Sequence, residues 1–197
     1  MPRKQSITKA AILESAFKIL RTRGFSEVSV RTVSTALGVS TMPIYSQFAN
    51  METLEQALFE KATATHIEFQ KKPYTENEVF NLAVGTIMFA QEEPQLFRFL
   101  HFDKPRKLSE DQRDHLFNGG VVDEVNQSLG VSTENSPFEK HMQDQSNQQI
   151  GKLAEYGWTF TIGFATMLNT GILPPMNESQ VVEKMMEVGN ALRTQFG

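Results

Sequence analysis

The side chains with the most to say chemically lie at positions 41–47, where Thr41, Met42, Pro43, Ile44, Tyr45, Ser46 and Gln47 follow one another. At helical spacing Ile44 and Phe48 share one side, i and i+4, and leave Thr41, Met42, Tyr45, Ser46 and Gln47 on the other. That outer set offers three hydroxyls, an amide and a thioether, with no nucleophile paired to a base. Such groups grip phosphates, hydrogen-bond to base edges and touch thymine methyls. Recognition in a groove of duplex DNA is the chemistry they suit.

Several elements must position them. Ser29 stands where an N-cap would open a helix whose Val30, Val33 and Leu37 form an apolar face. Gly38 should end that helix in the left-handed conformation, Val39 should drop into the core, and Ser40 should cap a second helix starting near Thr41. Pro43 is tolerated there because first-turn N–H groups have no intrahelical partner. Ahead of this pair, residues 8–23 place Ile12, Ala16, Ile19 and Leu20 on one face and end at Gly24, with Arg21 and Arg23 near the negative end of the helix dipole. A fourth helix follows Asn50, and Pro2, Arg3, Lys4 and Gln5 form a basic arm. Caps, a Gly turn and an apolar stripe also occur in small helical domains that bind no DNA. The three-helix context and the arm are what favour a helix-turn-helix.

Residues 8–60 resemble the N-terminal DNA-binding domain of the TetR family of transcriptional regulators. The resemblance is carried by Ala11, Ile12 and Leu13, by Arg23, Gly24 and Phe25, by Val30, Arg31, Thr32 and Val33, by residues 36–40 (Ala36, Leu37, Gly38, Val39, Ser40), and by Ile44, Tyr45 and Phe48, in the family's order and spacing. It implies a repressor, most often dimeric, whose larger C-terminal domain binds a small molecule that lowers operator affinity. Two positions depart from the family pattern: Gln47 stands where His is usual, and Met51 where a phosphate-reaching Lys is usual. Losing that Lys shifts weight onto the arm, Arg31, Tyr45 and the backbone N–H groups of the fourth helix.

The formal net charge of -4 conceals an asymmetry. Residues 1–50 carry seven Lys and Arg against two Glu, whereas the remainder carries twelve against twenty-one acids. A chain touching phosphates at one end only is expected to divide its charge this way, although any single Lys can be an ordinary solvated residue. With 40% hydrophobic residues the 197-residue chain can build a real core, and zero Cys removes disulfides and thiolate metal sites, fitting a reducing cytoplasm. The amino terminus lacks the apolar run of a secretory signal and no stretch is apolar enough to span a membrane, so a soluble, cytoplasmic protein is expected.

Composition shifts near residue 73, giving a division into a helix-turn-helix domain at 1–50, a connecting fourth helix at 51–72 and a helical body at 73–197. Within the body, residues 76–91 set Val79, Phe80, Ala83, Val84, Ile87 and Met88 at helical spacing and stop before Pro94. Phe97 to Phe102 make a short apolar helix, and Ser109 with Gln112 opens one that runs to Gly130. A further capping box, Ser136 with Glu139, opens a segment reaching about Thr170. Its later part is apolar nearly all round, with Trp158, Ile162 and Ala165 on one side and Phe160, Phe164 and Met167 on another. Asn177 caps a last helix with Val181, Met185, Gly189, Leu192 and Phe196 in a stripe; Gly163 and Gly189 permit close helix approach.

Ordinary core explains such Phe and Met stripes, and periodicity cannot separate a filled core from a cavity. The sharper reading has two parts. The last two helices would form an isologous dimer surface through Phe160, Phe164, Met167, Val181, Met185, Gly189 and Leu192, as the family resemblance also implies. Phe80, Met88, Phe97, Phe117 and Trp158 would line a mostly apolar effector pocket, with His101 or Thr161 orienting the ligand.

No catalytic or metal motif is present: His66, His101, His115 and His141 lack metal-ligand spacing, and no phosphate-binding or nucleophile-elbow pattern occurs. No cofactor is expected. The expectation is therefore an all-α, non-enzymatic regulator. Its partners are a double-stranded operator, a second copy of itself and a small-molecule effector, and its DNA-binding residues are Lys4, Ser29, Arg31, Thr41, Met42, Pro43, Tyr45, Ser46 and Gln47. An effector-independent regulator or activator would share the reader but have a solid C-terminal core. A helical interaction protein with a vestigial reader would show no salt-dependent duplex binding.

Overall fold

The structure, a computed structural model, describes residues 7–103 and 147–196. Among them every regular element is helical, and they fall into two compact units: residues 7–65 with 93–103, and residues 66–92 with 147–196.

The first unit begins with α1, Lys9–Arg23, capped by Thr8, whose Oγ1 accepts a hydrogen bond from the Ala11 N–H at 3.2 Å. Ile12, Ala16, Ile19 and Leu20 are buried as their spacing requires, joined by Phe17. A 3-10 turn, Phe25–Glu27, leads into α2, Val30–Leu37. Its start is closed reciprocally: Ser29 Oγ accepts from the Thr32 N–H at 3.1 Å, and Thr32 Oγ1 accepts from the Ser29 N–H at 2.9 Å. At its end Gly38 takes φ 67°, which lets the Val39 N–H turn back onto the Ser34 carbonyl at 3.0 Å and the Gly38 N–H onto that of Thr35 at 3.1 Å. The chain thereby reverses within two residues and enters α3, Met42–Gln47.

α4, Met51–Gln70, opens on Asn50, whose Oδ1 accepts from the Thr53 N–H at 2.9 Å. Leu54, Leu58 and Ala62, at i, i+4 and i+8, are fully buried along it. A later segment completes this unit: α6, Pro94–Arg98, followed by a π-helical turn, Phe99–Asp103. The short helix expected from Phe97 therefore begins earlier and changes winding midway. Pro94 sits in the first turn, where its missing N–H costs nothing, so the helix can start three residues sooner.

In the second unit α5, Glu78–Glu92, α7, Asn147–Asn169, and α8, Glu178–Phe196, pack against one another. α5 ends at Glu92 as Pro94 predicts, but its buried arc is wider than the expected stripe. It includes Asn81, Gly85, Thr86, Phe89 and Ala90 besides Val84 and Ile87, while Val79 stays 50% exposed. A helix covered on more than one side loses the simple amphipathic pattern. Gly85 marks the tightest approach: a Cβ there would lie 2.6 Å from Gln70 Cα, so the end of α4 and the middle of α5 meet backbone to backbone.

α8 is capped reciprocally by Asn177 and Gln180, each side chain accepting from the other's N–H at 3.0 Å. Gly189 faces the Phe80 ring, as a close-approach glycine should; Gly163 has no neighbour within 4 Å among the described residues. The helix expected at 109–130, the capping box at 136–139 and Phe117 lie outside the described residues.

Candidate nucleic-acid interface

α3 is held from below. Ile44 and Phe48 are 1% and 3% exposed, so the helix is pinned by two side chains at i and i+4 and cannot rotate without uncovering one of them. Above them Met42 and Tyr45 are 74% and 56% exposed, and Thr41, Ser46 and Gln47 are exposed beside them. Pro43 is half-buried. The Ser46 hydroxyl donates to the Pro43 carbonyl at 2.7 Å, which commits its only proton inside the helix and leaves it acceptor lone pairs.

The cap expected from Ser40 is absent. Thr41 occupies the N-cap position without a side-chain bond, and its carbonyl accepts from the N–H groups of Ile44 and Tyr45 at 3.1 and 3.3 Å. A capping side chain needs the second or third N–H of the helix. Here the second belongs to Pro43, which has none, and the third is already taken by Thr41. Ser29 is committed in the same way to the opening of α2 and is half-buried, so its first task is structural. Arg31 is exposed on the first turn of α2, and Lys4 lies outside the described residues.

Residues 32–51 contain no Asp, Glu, Lys, Arg or His, so the whole turn and α3 are electrically neutral. The cations of the unit lie outside this run. Lys9 lies 5.2 Å from the Phe48 ring centroid, which places an ammonium beside the end of α3. That placement was not foreseeable, because Lys9 and Phe48 are far apart in sequence and only the tertiary contact joins them. Arg21, counted above among the basic residues of the head, is instead forked onto Glu93: its Nε donates to Oε2 at 2.6 Å and its Nη2 to Oε1. The carboxylate raises its already high pKa, and its charge is largely spent inside the unit. Lys61 pairs with Glu14 and lies over the Phe17 ring. Lys18 and Arg23 are exposed.

Residues 12–58 match the family described as bacterial regulatory proteins, tetR family. The matched residues run from α1 into α4. The chain's fold is similar to that of a TetR-like transcriptional regulator from Rhodococcus sp. RHA1, with a TM-score of 0.57, 14% identity and 96% of each chain covered. A second solved structure, the TetR-like regulator LfrR from Mycobacterium smegmatis, is 15% identical over 92% of this chain and 93% of its own, with a TM-score of 0.31; the likeness of fold rests on the first. No curated protein matches the chain in sequence.

Of the residues expected to bind an effector, those the structure describes fall in both units. Phe97 is fully buried in the same unit as the DNA reader, where its ring lies 4.6 Å from that of His101. Burial pushes the His101 pKa down to about 4, so the imidazole is neutral. Phe80, Met88 and Trp158 belong to the second unit and remain half-buried. Thr161, 1% exposed, donates its hydroxyl to the Gly157 carbonyl at 2.8 Å. A different feature of that unit is an open groove of about 550 Å³ lined by Tyr74, Val182, Met186, Asn190 and several Glu residues, none of them anticipated. Burial and the neighbouring Glu92 and Glu178 carboxylates push the Tyr74 hydroxyl above its usual pKa.

Of the residues expected at a dimer surface, Phe164, Val181 and Met185 are buried within this chain at 7%, 0% and 4% exposure. Phe160, Gly189 and Leu192 are half-buried, and Met167 is exposed. Tyr156 and Met167, 44% and 45% exposed, flank Gly163 on the uncovered side of α7, a face the sequence stripe did not isolate.

Proposed function

We propose that the protein is a homodimeric repressor that lays one α3 per subunit in the major groove of a near-palindromic operator and leaves it when a small, mostly apolar effector binds the body. The observation that carries the DNA half is the α3 face, with Met42 and Tyr45 standing clear of the surface on a helix pinned by Ile44 and Phe48. A large thioether and a phenol at such exposure contribute little to the fold, and Lys9, Lys18, Arg23 and Arg31 are exposed cations of the same unit. Tyr45 and the amino-terminal arm with Lys4 would grip phosphate. Arg31, Thr41, Met42, Pro43 and Gln47 would face bases, and Ser29 would hold α2 for them.

The effector half is supported by the half-buried state of Phe80, Met88 and Trp158, large apolar side chains that the second unit does not seal in its core. The homodimer is supported by the exposed Tyr156, Gly163 and Met167 on α7, where a glycine with empty space above it admits another helix. In functional terms residues 1–50 form the reader, 51–72 the connector and 73–197 the body, acting in the cytoplasm. No helix among the described residues is long and apolar enough to cross a membrane.

Gel-shift titration of wild type and Tyr45→Ala on random and selected duplexes tests the reader. Wild type should bind with affinity that falls steeply with salt, and Tyr45→Ala should bind more weakly to every duplex. Equal affinity of the two proteins, or no duplex binding at low ionic strength, would remove the assignment. Thermal-shift screening with apolar small molecules, followed by their addition to the bound duplex, tests release.

A further inference from the structure

We infer that the base pairs lying under α3 are predominantly A·T, read through thymine methyl groups and an adenine edge, with no Arg or Lys contact to guanine from this helix. The inference rests on the reading of α3 as the DNA-reading helix and names what it reads. In the major groove guanine presents two acceptors, O6 and N7, and the commonest specific contact to them is bidentate donation from Arg or Lys. α3 has neither: residues 32–51 form an unbroken uncharged run between Arg31 and Glu52. Lys9, a cation beside its end, lies over the Phe48 ring at 5.2 Å, and Phe48 is the residue that pins this end to the core.

The side chains α3 does expose fit the other pair. Met42, 74% exposed, projects a flexible thioether with no polar donor, and Pro43 beside it has no N–H at all. Both offer only apolar contact, and in the major groove the C5-methyl of thymine is the feature that answers to it. Gln47 is exposed and its amide presents one donor and one acceptor side by side, the complement of adenine N6 and N7. Ser46, its proton given to the Pro43 carbonyl, is left as an acceptor for the amino group of adenine or cytosine, and it does not donate to guanine. A neutral, methyl-seeking helix with one adenine-matching amide therefore discriminates for A·T and leaves charge-based affinity to the flanks.

The test uses the full-length protein and duplexes selected by it from a random pool. A·T pairs should dominate a short stretch in each half-site. Each thymine of that stretch is then replaced by deoxyuracil, which deletes the methyl and nothing else. Loss of a contacted methyl should weaken binding about fourfold, the equivalent of one buried methyl-sized group. In Met42→Ala, which alters a side chain outside the core, at least one of those thymine-to-deoxyuracil effects should vanish, locating Met42 on the sequence. Bound duplexes with G·C pairs throughout both half-sites, or deoxyuracil replacement without effect at every position, would overturn the inference while leaving DNA binding intact. Failure to retain any duplex would instead remove the reader assignment and this inference with it.

Discussion

Gln47 and Met51 are the two residues at which this chain departs from the family pattern, and each has a separable consequence. Gln47→Ala removes the amide that can pair two ways with one base, so preference at one operator position should relax by on the order of 1–3 kcal/mol while affinity for other sequences changes little, as competition gel shifts would report. Met51 opens α4 without a charge, so Met51→Lys should add one phosphate contact per subunit and steepen the slope of log affinity against log salt by about 0.9 for each. His101 makes the third residue-scale prediction. Its folded pKa, about 4, lies below the ordinary histidine value, so the unfolded chain binds a proton first as pH falls. Stability from its burial is therefore complete above about pH 6.5 and lost progressively toward pH 4. Urea titrations across that window should show wild type losing stability more steeply than His101→Gln.

At the scale of elements, the reader is shaped by how α2 ends rather than by α3 itself. α3 has six residues and no side-chain cap, too little to be stable alone, so its place depends on the Gly38 reversal and on Ile44 and Phe48 below it. Gly38→Ala should cost about 1 kcal/mol for the left-handed conformation, lowering the melting temperature and weakening DNA binding together. A different penalty attaches to the meeting of α4 and α5. A Cβ at Gly85 would press on the backbone of Phe69 and Gln70, neither of which can rotate aside, so Gly85→Ala should destabilise by about 1–3 kcal/mol. Calorimetry giving an unchanged transition for Gly85→Ala would mean that the two helices meet less closely than described.

For the molecule as a whole, the charge division and the uncovered face of α7 argue for a dimer that approaches DNA with one end only. Gly163→Leu adds bulk where no described residue lies within 4 Å, so sedimentation should report loss of the proposed dimer with helix content retained. The same variant should lose cooperative occupation of paired half-sites, whose centres are expected about 34–36 Å apart or a multiple of that. If Gly163→Leu stayed dimeric, the symmetric contact would have to be sought on another face.

Much was legible in the amino acids alone because it is local. Caps such as Ser29 and Asn177, the stop at Gly38, the outward set on α3 and the uneven charge depend on neighbours within a helical turn or on simple counting, and they point to the helical class and to the proposed reader. What the tertiary structure decided depends on contacts distant in sequence. Glu93 claims Arg21 from 72 residues away, Lys9 settles over Phe48, and Phe97 falls in the same unit as α3. Stripe residues Phe164, Val181 and Met185 turn out to be committed to the chain's own core. An apolar periodicity states that a face is covered; which partner covers it is settled only when all helices compete for the same buried surface.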